Sequence, residues 1–322
     1  MPTTHPPAIQ IAGLRKSFAD NHVLRGIDLD LPPGIVFALL GANGAGKTTA
    51  INILTTLLTP DAGTVRVAGH DVVSEADKVR ASIGVTGQFA AVDGLLTGEE
   101  NLRMMARLAH LDTKRAKART AELLEQFDLT EAAGKPTATY SGGLGRRLDL
   151  AMSLMLNPAI VFLDEPTTGV DPRGRAVMWD IVRTLAEQGT TIFLTTQYLE
   201  EADQLASRVA VIDRGSIIAD GTPTELKRRV GSGHIVLELP TPDALAAAAR
   251  MLPTATVGSD ARSLRMAGST DANTIRDTLV RLDDAQVSVA NLQIVTPDLD
   301  DVFFALTGAP ATENDAAKEH HE

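Results

Sequence analysis

Residues 35–58 read IVFALLGANGAGKTTAINILTTLL, and this stretch decides the fold class. IVFALL follows the turn Pro32-Pro33-Gly34 as an unbroken apolar run, the pattern of a strand buried on both faces. Gly41-Ala42-Asn43-Gly44-Ala45-Gly46-Lys47-Thr48 then fits G-x-x-x-x-G-K-[ST], with an apolar helix running on from Thr48. Glycines there let successive backbone N–H groups turn inward around β- and γ-phosphates at a helix N-terminus. In such a loop Lys47 pairs with phosphate oxygens and the Thr48 hydroxyl holds a magnesium ion. A glycine-rich turn with a chance lysine is the bland reading, but strand before and helix after are the context the motif demands.

Two more apolar runs, AIVFLD at 159–164 and TTIFLTT at 190–196, flank a helix-patterned segment at 173–188. Strand–helix–strand alternation predicts an α/β fold, a mostly parallel sheet with helices on both faces. AIVFLD runs into Asp164-Glu165-Pro166. A carboxylate at the C-terminal end of a parallel strand faces the usual ligand crevice. There Asp164 can hold the metal's water shell while Glu165 polarises an attacking water. Alone, two acids after a strand are more often a solvated turn; beside a phosphate loop the chemical reading wins. Residues 8–12 and 27–31 alternate like half-buried strands, and 98–127 reads as one long helical insertion.

The composition bounds the rest. The 322 residues have room for about two domains, and 44% hydrophobic with 22% charged residues is globular. With no cysteine, disulfides, thiolate nucleophiles and cysteine–metal sites are excluded. The net charge of −11 disfavours a nucleic-acid partner. No run reaches the ~20 apolar residues of a membrane span. MPTTHPPAIQ lacks the basic and apolar regions of a secretory signal.

A second module is expected after a linker at Gly231-Ser232-Gly233. Residues 231–322 carry 6 basic and 14 acidic side chains, whereas the charges of 1–230 nearly cancel. Residues 208–213 and 216–219 read as a hairpin, and 222–230 opens a closing helix. Beyond it, HIVLEL, an Ala-rich helix at 241–251, a hairpin, a helix at 270–283, a strand at 286–295 and a short helix starting with Pro297 form a small α+β module. The expected division is 1–230, 231–308 and a polar tail, 309–322, in which His320-His321 lies.

Tyr140-Ser141-Gly142-Gly143-Leu144-Gly145-Arg146-Arg147 precedes the helix that runs into AIVFLD. With the phosphate loop and the Asp-Glu pair, it makes the first ~225 residues resemble the nucleotide-binding subunit of an ATP-binding-cassette (ABC) transporter. The resemblance implies a P-loop NTPase domain with a helical subdomain plus the small C-terminal accessory domain. It assigns ATP and Mg²⁺ as ligands, with nucleotide contacts from Gly41 through Thr48, from Thr49, and from Phe18 stacking on adenine. It makes Gln88 the loop glutamine that senses Mg²⁺ and contacts a membrane subunit. It puts Ser141-Gly142-Gly143 over the nucleotide of a second copy, and Asp171 in Thr168-Gly169-Val170-Asp171 at the dimer contact. The plain alternative for Phe18 is core packing, and for Gln88 an exposed loop amide.

The sequence departs from the common pattern twice. Leu144-Gly145 replaces more polar signature residues. Gln197, in TTQYLEEAD, stands where the family usually has histidine; it can donate a hydrogen bond to the γ-phosphate but cannot become cationic. TTQYLEEADQLA and the ending LDDVFFALTG resemble the daunorubicin/doxorubicin-resistance exporters in particular. Lys47, Glu165 and Gln197 are thereby implied as the catalytic set, and Thr48, Gln88 and Asp164 as the metal set. Separate transmembrane permease subunits, a second copy of the chain and a place on the cytoplasmic face of a bacterial membrane are implied too. A soluble cassette protein of translation or DNA repair is the rival of another class, but those carry two cassettes or long coiled-coil insertions. A nucleotide switch with little turnover is a second rival, encouraged by Gln197.

Overall fold

The computed structural model describes residues 6–87, 91–230, 233–258, 262–267, 272–295 and 297–307. The linker residues Gly231 and Ser232, and the expected tail 309–322, lie outside the described residues. The chain divides into two compact units, Met1–Pro223 and Thr224–Glu322.

In the first unit, β1 (Ile9–Phe18) and β2 (Asn21–Leu31) pair antiparallel from Ile9 opposite Leu31 to Phe18 opposite Asn21. β3 (Val36–Leu40) leads through the glycine-rich loop into α1 (Lys47–Leu54). β4 (Ala62–Val67) returns along the other edge of β1, and the short β5 (His70–Asp71) completes a four-stranded sheet of order β2-β1-β4-β5. The alternating strands of the sequence thus belong to a separate antiparallel sheet. A single buried face explains their period of two. α2 (Ala76–Ser82) then leads directly into β6 (Ile83–Thr86).

The expected long helix at 98–127 is two helices, α3 (Gly98–Leu108) and α4 (Thr113–Gln126). His110 between them takes φ 55°, which no α-helix tolerates, and the Asp112 side chain accepts from the amides of Lys114 and Arg115 to start the second. α5 (Gly142–Ser153) runs to β7 (Ile160–Asp164), α6 (Pro172–Glu187) to β8 (Thr191–Thr196), and α7 (Leu199–Leu205) to the hairpin β9 (Arg208–Asp213) and β10 (Ser216–Gly221); α8 (Pro223–Val230) follows and, from Thr224 on, belongs to the second unit.

The second sheet has the order β10-β9-β3-β8-β7-β6, parallel throughout except for β10. Its central strands β3, β7 and β8 are buried at every residue, which is why they read as unbroken apolar runs. Phe37 and Phe162 flank Phe193 on neighbouring strands, with centroids 5.0 and 5.5 Å away. These rings join Leu24, Ile27, Val65 and Ile51 in one core that ties the antiparallel sheet and α1 to the parallel sheet. That anchorage fixes the C-terminal strand ends, where the loops of interest emerge.

The second unit holds β11 (His234–Glu238), α9 (Pro242–Met251), β12 (Thr256–Val257), β13 (Ser263–Ala267), α10 (Ala272–Asp284), β14 (Asn291–Val295) and α11 (Leu299–Thr307). The strands form an antiparallel sheet, β12-β13-β11-β14, whose inner residues Ile235, Leu237 and Leu264 pack with Ala248, Leu252 and Leu282. The strand expected at 286–295 spans only β14, because Gln286 turns at φ 57° and the Val287 amide caps back onto Leu282. α11 is capped by Asp298, whose Oδ1 accepts from the Asp301 amide at 2.9 Å, rather than opened by Pro297.

Candidate nucleotide site

Between β3 and α1 the chain makes one tight loop whose glycines have distinct reasons. Gly46 caps α1 at φ 111°, and a Cβ there would sit 2.7 Å from Leu24 Cδ2. A Cβ on Gly41 would meet the Ile212 carbonyl of β9 at 2.5 Å. Ala42, Asn43 and Gly44 are exposed, as are Thr48 and, in part, Thr49, while Ala45 is buried. The loop is therefore pinned from below and open above, a concavity of amides suited to an anion.

Lys47 is 5% exposed, and its Nζ donates to the carbonyls of Gly41 at 2.8 Å and Ala42 at 3.2 Å. Glu165 Oε1 lies 3.5 Å from the same nitrogen. Burial pulls the ammonium below its usual lysine range, and the Glu165 and Asp164 carboxylates oppose that pull. Asp164, at the end of β7, accepts from Thr195 Oγ1 at 2.5 Å and faces Thr48 Oγ1 at 3.5 Å. A hydroxyl and a carboxylate this close beside the cradle are hard oxygen donors, and they fit a magnesium ion that keeps most of its waters and phosphate ligands.

Glu165 adopts φ 49°, rare for a residue with a side chain. Its amide donates to Thr195 O at 3.1 Å, and its Oε2 accepts from Thr168 Oγ1 at 3.3 Å. The structure thus brings Lys47, Thr48, Asp164 and Glu165 together at adjacent strand ends. Gln197 is half-buried just past β8. Gln88 lies outside the described residues. Its neighbours are tied to α5: Gly87 O accepts from Arg146 at 2.8 Å, and the Ala91 amide donates to Asp149 at 3.0 Å.

Ser141 and Gly142 are exposed where α5 begins, and Gly143 is half-buried. The Ser141 hydroxyl accepts from the Leu144 amide at 3.3 Å. Ser141 and Gly142 line an open groove with Tyr140, Thr168 and Gly169 that contains no residue of the phosphate loop. Asp171 caps α6 through the Gly174 amide at 2.9 Å. Phe18 is 48% exposed, so its ring is not core, and Lys16 Nζ lies 5.7 Å from the ring centre.

The sequence reading missed a buried polar set behind these loops. Glu201 of α7 is 1% exposed, accepts from Trp179 Nε1 at 3.3 Å, and burial pushes its carboxyl above the usual range. Arg175 stacks 5.3 Å from the Tyr198 ring, next to Gln197. Charged residues inside otherwise apolar helix patterns, such as Arg146 and Asp149 three apart on α5, were the available signal.

The comparisons with known proteins agree with this geometry. The ABC transporter family profile matches residues 24–168. Daunorubicin resistance ATP-binding protein DrrA3 of Streptomyces coeruleorubidus is 49% identical over 312 residues, covering 96% of this chain and 99% of that protein. Daunorubicin/doxorubicin resistance ATP-binding protein DrrA of Streptomyces peucetius is 48% identical over 97% of this chain and 96% of its own length. Linearmycin resistance ATP-binding protein LnrL of Bacillus subtilis is 33% identical over 93% of this chain and 98% of its own length. Among solved structures, an ATP-binding cassette of an ABC transporter in its ADP conformation superposes with a TM-score of 0.63 at 24% identity, over 69% of this chain and 93% of that one. Near-full-length identity approaching one half leaves no room for a merely local likeness: the chain belongs to the ATP-binding subunits of ABC transporters, in the group of the daunorubicin/doxorubicin-resistance proteins.

Proposed function

We propose that the chain is the ATPase motor of an exporter that removes a drug, antibiotic or lipid-like small molecule through separate transmembrane subunits. The observation that carries the reading is the convergence of Lys47, Thr48, Asp164 and Glu165 above one glycine-rich loop. In it the amides of 41–49 and Lys47 hold the β- and γ-phosphates, Phe18 stacks on the base, and Glu165 orients the attacking water. Gln197 donates to the γ-phosphate. Mg²⁺, held through Thr48 and Asp164 and sensed by Gln88 as the family resemblance implies, would neutralise charge on the β/γ oxygens. Two copies close head to tail, each Ser141-Gly142-Gly143 loop covering the other's nucleotide and Asp171 lying at the contact.

The proposed division puts this machinery in residues 1–230 and an accessory domain in 231–308, working on the cytoplasmic face of a bacterial membrane without contact to nucleic acid. No described helix is long and apolar enough to cross a membrane, in keeping with a motor whose pore lies in other chains. The relatives are named for resistance to daunorubicin, doxorubicin and linearmycin, which supports a drug or antibiotic as cargo. The test is efflux of a fluorescent anthracycline from bacteria expressing the chain with its membrane subunits. Efflux should vanish with Glu165→Gln while the protein still binds ATP. Efflux at the parental rate would overturn the motor role, and ATP-dependent dimers without turnover in the parental chain would favour a switch.

A further inference from the structure

Arg146 sits in the second turn of α5 with 8% of its surface exposed. Its guanidinium donates almost entirely to main-chain oxygens. Nε reaches Pro166 O at 2.9 Å, and Nη2 reaches Asp164 O at 3.0 Å and Glu165 O at 3.1 Å. Nη1 reaches Gly87 O at 2.8 Å, with Asp149 Oδ2 3.6 Å away. A buried cation usually takes carboxylates as its main partners. Here three consecutive carbonyls, those of the residues around Glu165, take most of the fork.

That choice of acceptors meets a strained backbone. A side-chain-bearing residue at φ 49° persists only where its surroundings fix it from several sides. Thr195 fixes the amide of Glu165 from β8, through its carbonyl and its hydroxyl. Arg146 fixes the carbonyls before, at and after it from α5. Between these two clamps the direction of the Glu165 carboxylate, toward Lys47, is set. Asp149 sets a charge 3.6 Å from the guanidinium, too far for a hydrogen bond, while its other oxygen accepts from the Ala91 amide.

We infer that Arg146 is a positioning residue for Glu165, acting within its own protomer through the main chain of 164–166. The inference rests on the proposed role of Glu165 as the residue that orients the attacking water. Its place in α5 suggests the opposite, since that helix begins with the loop facing the partner's nucleotide. The hydrogen bonds decide otherwise: they go to 87 and 164–166 and not to 141–143. Lysine, a point donor without the planar fork, cannot reach the same set of carbonyls.

Mixed dimers of two differently tagged copies separate the possibilities. In the first pairing one copy carries both Arg146→Lys and Glu165→Gln and the other is unaltered. In the second, Arg146→Lys is on one copy and Glu165→Gln on the other. Single-turnover phosphate release asks for one round at one site. Action within the protomer predicts that the first pairing releases phosphate within twofold of a dimer carrying Glu165→Gln in one copy alone, and that the second is at least tenfold slower. The reverse order would assign Arg146 to the partner's site, and equal loss in both would make it only a packing residue; either overturns the inference. In the Arg146→Lys homodimer, binding of a fluorescent ATP analogue should stay within threefold while kcat falls, and the amides of 164, 165, 167 and 168 should exchange faster with deuterium. Equal losses of affinity and kcat would also overturn it. Should Arg146→Lys fail to fold, Asp149→Asn replaces it, with a several-fold loss of kcat at unchanged KM expected and unchanged kcat fatal. The Glu165→Gln homodimer, measured alongside, reports on Glu165 by itself, so a full rate there indicts that role and not Arg146.

Discussion

Lys47 Nζ lies 3.5 Å from Glu165 Oε1, with 4% and 10% of the two side chains exposed. One cation therefore answers to two anionic partners, the carboxylate it faces and the phosphates that the cradle is shaped to take. Removing either member should have different consequences. Glu165→Gln keeps the hydrogen-bonding shape and removes the charge proposed to orient the attacking water, so hydrolysis should fall by ~10²-fold or more while ATP binding persists. Size-exclusion chromatography should then show an ATP-dependent dimer. Lys47→Met should instead lose ATP affinity by about tenfold or more, because a charge-assisted contact to phosphate disappears. Equilibrium binding of a fluorescent nucleotide distinguishes the two.

In the proposed mechanism Gln197 offers the γ-phosphate a neutral dipole where an imidazole could carry charge. A charge-assisted hydrogen bond is roughly twice as strong as a neutral one, so the deficit in the transition state is on the order of 1–2 kcal/mol. That is about a five- to thirty-fold slower chemical step than a histidine site gives. Basal turnover should be slow but real, and Gln197→Ala should lower it further with ATP affinity nearly unchanged. Steady-state phosphate release at the parental rate would remove Gln197 from the mechanism.

Glu201 carries a pH signature. Burial raises its folded pKa above the unfolded value, so its stabilising contribution is complete below the unfolded pKa and is lost as pH rises through the folded one. Glu201→Gln, which keeps an acceptor for Trp179 Nε1, should raise the thermal midpoint at pH 8 by a few degrees, at about 2–4 °C per kcal/mol. Well below the unfolded carboxyl's ordinary value of 4.5 the difference should vanish, since the carboxyl is then neutral in both states. Melting curves across that range decide the matter, and a pH-independent difference would place the effect in packing.

Gly41→Ala tests why the phosphate loop begins with glycine. The new methyl would press on the Ile212 main chain, which belongs to a sheet strand and cannot swing away like a side chain. Overpacking of this kind costs about 1–3 kcal/mol. The expected result is a lower melting temperature even without nucleotide; an unchanged one would mean that β9 gives way.

A chain ending after Val230 keeps α8, in which Leu226 is fully buried, and removes every strand of the β12-β13-β11-β14 sheet. It should still bind ATP and melt cooperatively while losing dimer stability or coupling to the membrane subunit. A collapsed thermal transition would mean that residues 1–230 do not fold without the rest of the chain.

The sequence by itself determined the parallel sheet, the loop between β3 and α1, and the acids that end β7. Each is written in contiguous residues: a strand buried on both faces must be apolar throughout, and a phosphate loop needs its glycines in order. The four-stranded antiparallel sheet was only half legible, because β4 and β5 are short and carry Gly, Thr, Arg and Asp where a clear apolar alternation would be needed. The break at His110 hid inside a helical pattern that one left-handed residue interrupts.

Tertiary structure alone decided what lies behind the site. Arg146 looks like one of two adjacent basic residues on a helix, yet Arg146 is buried on the carbonyls of 164–166 while Arg147 turns to Phe127 and Asp128. Thr195 is one threonine in a strand until β8 docks beside β7 and its hydroxyl meets Asp164. A hydrogen bond between distant segments depends on how the strands are ordered in the sheet, and that order arises from packing the whole apolar core, which no local pattern records.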